Sequence, residues 1–130
     1  EEGLSGEGAV VAGSFKPPVA DSELIDRGVI DDLISQIGKD NLNEVIDKVR
    51  SESQARWEEL SDAIANDDDD ARRRHVHSLQ SIFRSIGLSF LGEELAAVEL
   101  RLRAGEELED GWMEALDDTR IASLQLLDTI

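Results

Sequence analysis

Beyond Pro18 the chain runs to residue 130 without another proline, and its apolar residues recur there at intervals of three and four. Proline inside a helix removes a backbone donor and clashes with the preceding turn, so its absence over 112 residues leaves room for long helices. A three-and-four step places side chains on one face of a helix, whereas a half-buried strand alternates by two. The fold class is therefore read as all-α.

The seams can be followed one by one. Leu24, Ile25, Ile30, Leu33, Ile34 and Ile37 predict a short first helix that stops at Gly38. Leu42, Val45, Ile46, Val49, Trp57, Leu60 and Ile64 predict a long second one, its seam broken at Ser53 and near Arg56. Residues 66–70, NDDDD, read as a turn and helix start, because carboxylates in a first turn meet the positive end of the helix dipole. The third helix ends at Gly87. Leu88, Leu91, Leu95, Val98 and Leu102 form a heptad-like seam for the fourth, which stops at Gly105. Trp112, Leu116, Leu124 and Leu127 supply a fifth after Gly111. Short connections make neighbours antiparallel, so the expected architecture is an antiparallel up-down-up-down four-helix bundle with a short additional N-terminal helix. Residues 1–20, with Gly3, Gly6, Gly8, Gly13 and both prolines, read as a flexible linker or tail, and 21–130 as the domain.

Composition narrows the chemistry. There is no cysteine, which excludes disulfides, thiolate metal sites and a cysteine nucleophile. No apolar run approaches the roughly 18 residues of a membrane span, and no signal-peptide pattern opens the chain, so a cytoplasmic module without membrane insertion is expected. A net charge of −17 argues against nucleic acid as a partner, since like charges repel. The aspartate run lacks the glycine of an EF-hand loop, and no Gly-rich phosphate loop or kinase motif occurs. No ATPase or kinase activity of its own is expected.

The chain's two histidines, His75 and His77, sit together in RRRHVHSLQSIFRSIG, residues 72–87, beside four of the thirteen basic residues. At 100° per residue, Asp70, Arg73, Arg74, Gln80, Ser81 and Arg84 all fall within about 60° of His77. Val76, Leu79, Ile82, Phe83 and Ile86 make the opposite, core-facing stripe. His75 lies about 160° from His77, on the flank of that stripe. A chelating pair on a helix needs a spacing of three or four, so the two imidazoles cannot share a metal ion within one chain. Two readings then compete. One is a reactive His77 among arginines suited to a phosphoryl group or an acidic partner. The other is an acidic helical adaptor in which His77 is incidental.

The stretch HSLQSIFRSIG resembles the signature of the histidine-containing phosphotransfer (HPt) domain, where His is followed by Leu at +2, Lys at +3, Gly at +4 and Gly at +10. Here those places hold His77, Leu79, Gln80, Ser81 and Gly87. The flanking segments VIDDLISQIGKDNLNEVIDKV and LGEELAAVELRLRAGE resemble the opening helices and the helix after the phosphorylation site, so the likeness covers roughly residues 22–129. It implies a phosphorelay protein in which His77 accepts a phosphoryl group from a receiver-domain aspartate and passes it to another receiver. The implied partners are response-regulator receiver domains and a sensor histidine kinase, in the same polypeptide or apart. No cofactor of its own is implied, because Mg²⁺ comes with the receiver. In the family the +3 lysine helps neutralise the phosphoryl group. Gln80 carries no charge, and Arg84, Arg73 or Arg74 are the residues that could replace it. Leu79 and Gly87 would be structural, and the small Ser81 would let a receiver approach. A degenerate member that binds a partner without transfer is the alternative within this family.

Overall fold

The computed structural model describes residues 21–130, and the expectation of a linker over 1–20 lies outside them. The described chain is helical throughout: α1 (Asp21–Leu24), α2 (Arg27–Ile37), α3 (Lys39–Ala65), α4 (Asp69–Ser85), α5 (Ser89–Arg103) and α6 (Trp112–Leu127). The last four form the antiparallel bundle, and α1 and α2 supply the additional N-terminal element.

The first predicted helix is two segments rather than one. Asp26 interrupts it with extended backbone, and its carboxylate accepts from the Gly28 and Val29 amides at 3.0 and 3.3 Å, starting α2 afresh. At the other end Gly38, with φ of 85°, separates α2 from α3. Asp68 caps α4 by accepting from the Ala71 amide at 3.1 Å, while Asp69 and Asp70 occupy the first turn. The aspartate run is thus a helix start. The run's first aspartate, Asp67, has a φ of 56°, a conformation that Asp tolerates better than most residues.

Leu42, Ile46, Trp57, Leu60, Val76, Leu79, Phe83, Ile86, Leu88, Leu91, Leu95, Val98, Leu116 and Leu127 are buried together in one core. Two details of the α3 seam differ from the pattern in the sequence. Ser53 does not break the seam, because it is fully buried with its hydroxyl donating to the Arg50 carbonyl at 3.2 Å. Val45 lies largely outside the core, 38% exposed. α6 turns a partly polar face inward. Ser123 donates to the Thr119 carbonyl at 2.7 Å, and buried Arg120 stacks over Trp57, 5.1 Å from the ring centroid, while bonded to Asp117 at 2.8 Å.

α4 packs most extensively against α5 and next against α3. The α4–α5 turn is fixed at Gly87, which has a φ of 82° and whose carbonyl accepts from the Asp26 amide at 2.7 Å. That bond ties the N-terminal segment to the end of the α4–α5 hairpin. Among the described residues, no helix is long and apolar enough to cross a membrane.

Candidate functional site

The helical period decides which histidine is available. With Val76, Leu79 and Phe83 fully buried on one side of α4, His77 projects from the other, and its side chain is 61% exposed. The His75 side chain is only 13% exposed, and its Nδ1 lies 3.8 Å from a Glu59 oxygen on α3. The two rings therefore serve different surroundings, as the wheel requires. Among the described residues, no group of His, Cys, Asp and Glu could hold a metal ion.

His77 has a partner that the sequence did not announce. Its Nδ1 lies 3.1 and 3.2 Å from the two carboxylate oxygens of Glu99 on α5. A carboxylate facing an imidazole in this way accepts, so Nδ1 carries the proton and the lone pair resides on Nε2. Glu99 itself is buried, at 8% exposure, which demands several donors to be tolerated. It has them: Arg103, one turn further along α5, donates through Nε at 3.2 Å and Nη2 at 2.9 Å. Gln80 adds another once its amide is turned so that nitrogen faces the carboxylate and oxygen the guanidinium, the orientation both neighbours require: it then donates to Glu99 Oε1 at 3.0 Å and accepts from Arg84 Nη1 at 2.9 Å. Burial pushes the Glu99 carboxyl up, but the hydrogen bonds and charges of His77 and Arg103 together outweigh it and hold it below the usual 4.5.

The sequence-predicted residues fall into two groups around this carboxylate. Arg73 and Arg74 line a shallow groove of about 330 Å³ together with His77, Asp70, Ser78, Glu99 and Arg103. Arg73 is paired with Asp70 across the first turns of α4. Gln80 and Arg84 lie beyond the groove's other side, linked to the histidine through Glu99. The stem of Arg84 rests on Gly92 of α5, where an added Cβ would come within 2.6 Å of Arg84 Cγ. Ser81 is exposed on the same face, Leu79 is fully buried beneath it, and Gly87 closes the helix. A larger cleft of about 470 Å³ lies between the start of α4 and the α5–α6 connection, but neither histidine lines it.

Glu99 and Arg103 are the neighbours of His77 that the sequence reading missed. The one available signal was an i, i+4 acid–base pair flanking the α5 seam, with Glu99 next to Val98 and Arg103 next to Leu102. Such pairs are common on exposed helix faces, and only the α4–α5 packing turns this one toward an imidazole.

A positioned, exposed imidazole with its proton held on Nδ1, a free nucleophilic nitrogen and a cationic rim suits group transfer without local acid–base machinery. The family model described as "Hpt domain" matches residues 44–129, from within α3 through α6. No significant match was found among curated proteins or among solved structures.

Proposed function

The chain belongs to the Hpt-domain family, and from that premise we propose that His77 is the residue that takes a phosphoryl group from a receiver-domain aspartate and hands it to another receiver. Phosphorelay histidine phosphotransfer, with response-regulator receivers as partners, follows from family membership. The assignment to His77 rests above all on one observation: its ring is exposed while Nδ1 is engaged by Glu99, leaving Nε2 as the nucleophile.

In the proposed step Nε2 attacks the phosphorus of the receiver's acyl phosphate in line, and the aspartate carboxylate departs. Such transfers pass through a loose transition state in which positioning and positive charge matter most. Arg73, Arg74 and Arg103 edge the groove beside the ring and would balance the charge that arrives. Gln80, in place of the family's lysine, would act through Glu99 rather than on the phosphoryl group. Arg84 would present its charge to the receiver one turn further along the helix. The receiver would bring Mg²⁺, a sensor histidine kinase would stand upstream, and the setting would be cytoplasmic.

The test is incubation with a panel of phosphorylated receivers, followed by detection of acid-labile, base-stable phosphohistidine. Label on His77, lost in His77→Gln, is expected. A protein that binds receivers but never takes up label would instead be the adaptor.

A further inference from the structure

Arg84 stands seven residues after His77, about 10 Å further along α4 and within about 20° of the same direction. An arginine on an open surface samples many rotamers, but this one is seated. Its stem lies across α5 at the buried Gly92, where an added Cβ would come within 2.6 Å of Arg84 Cγ and 3.2 Å of its Nε. The three atoms nearest that Cβ all belong to Arg84, so a side chain at position 92 would displace the arginine and little else. At the far end the guanidinium is held by an amide, Nη1 donating to Gln80 Oε1 at 2.9 Å. A lysine at position 80 would remove that acceptor and set a like charge one turn away.

The seat orders the charge without cancelling it. On the same face Arg73 is paired with Asp70, and Arg103 with Glu99. Among the described residues no carboxylate pairs with Arg84, although the chain carries thirty acidic residues. Its neighbour is neutral, so an exposed planar fork remains, suited to a carboxylate from another molecule. A receiver that reaches His77 also covers this place. A standard interface takes about 800 Å² from each partner, a disc of about 16 Å radius, and Arg84 stands about 10 Å from the histidine.

We propose, building on the relay reading of His77, that Arg84 is a specificity-determining residue that selects receivers carrying a carboxylate about 10 Å from their phosphorylated aspartate, with Gly92 and Gln80 as its positioning residues. The charge that the family places three residues after the histidine is displaced here to the seventh. It therefore meets the rim of the receiver rather than the phosphoryl group. A receiver with lysine or arginine at that place meets a fixed like charge and is turned away.

The experiment presents phosphorylated receivers of known sequence to the full chain and times label uptake, while calorimetry measures binding of the unphosphorylated receivers. For the receiver that the parent uses best, Arg84→Ala should raise KM about three- to tenfold at low salt with kcat near the parent value. The gap should close toward about 1 M salt, where the Debye length is about 3 Å. Gly92→Ala should do the same without lowering the melting temperature, because alanine suits a helix better than glycine. Added to Arg84→Ala it should change nothing further, whereas a merely structural glycine would lower stability and act in both backgrounds. One exposed acid of the receiver, changed to its amide, should slow the parent but not Arg84→Ala. Changing that acid to lysine should in turn restore transfer to Arg84→Glu. Parent, Arg84→Ala and Gly92→Ala with equal KM, or no receiver acid coupled to Arg84, would overturn the inference and leave the relay reading intact. A parent that takes label from no receiver would overturn the relay reading; equal receiver affinities for parent and Arg84→Ala would then overturn the inference too, and a weaker Arg84→Ala would uphold it.

Discussion

Replacing Gly87 with alanine tests why the α4–α5 turn needs a glycine. The residue has a φ of 82°, and a Cβ there would sit 3.1 Å from the Asp26 carbonyl oxygen and 3.4 Å from Ile30. A left-handed conformation costs a non-glycine residue about 1–2 kcal/mol. The crowded atom is backbone, so relief requires α2 to retreat, weakening the 2.7 Å bond from the Asp26 amide to the Gly87 carbonyl. A hydrogen bond of that kind contributes about 0.5–1.5 kcal/mol net. Gly87→Ala should therefore lose about 1.5–3.5 kcal/mol. Gly105 provides the control: its φ is 74°, but a Cβ there would meet nothing within 4 Å. Gly105→Ala should lose only the conformational part, about 1–2 kcal/mol. Urea unfolding followed by circular dichroism measures both, with the slope unchanged if the denatured state is unaffected. Equal losses for the two variants would refute the crowding against Asp26, and a Gly87→Ala loss under about 0.5 kcal/mol would refute the whole argument.

Other outcomes follow from the same geometry. His77→Gln should abolish phosphotransfer while costing about 0.5–1.5 kcal/mol, because buried Glu99 loses one of its donors, whereas His75→Gln should leave transfer intact; labelling and urea midpoints check both. Phe83→Ala, at a fully buried side chain, should cost about 3–5 kcal/mol in the same unfolding assay. Arg84→Ala should slow transfer to receivers and reduce its salt dependence, read by stopped-flow at low and high ionic strength, because exposed charges act over a Debye length of about 8 Å. Glu99 is held below 4.5 in the folded protein, so its pairing adds stability at neutral pH that is lost as pH falls through that lowered value. Urea midpoints between about pH 5 and pH 3 should fall less steeply in Glu99→Gln than in the parent.

The bundle was legible because its seams are long and regular. Leu88, Leu91, Leu95 and Val98 are all buried as their spacing requires, and the exposed and sheltered histidines separate as the wheel predicts. What escaped were local substitutions of one interaction for another. Asp26 ends one helix by capping the next, a side-chain hydrogen bond that apolar periodicity does not register. Ser53 enters the core by turning its hydroxyl onto its own helix, so a polar letter behaves as a small apolar one. Thr119, Arg120 and Ser123 are buried on α6, where the apolar pattern is thinnest. Glu99 was hidden for a different reason: its partner stands 22 residues earlier on another helix, and only the register between α4 and α5 brings them together.

That register confines the site to a single hairpin. His77, Gln80 and Arg84 come from α4, and Gly92, Glu99 and Arg103 from α5. α3, α6 and the residue after α6 contribute the Trp57–Arg120 stack and the Arg50–Asp128 pair, neither of which includes a residue bonded to His77. Tolerance to change is thereby divided along the chain. Substitutions at the Trp57–Arg120 stack or the Arg50–Asp128 pair should change the melting point while leaving the side chains bonded to His77 in place. The hairpin can in turn exchange charges to suit a new receiver while the supporting helices stay as they are.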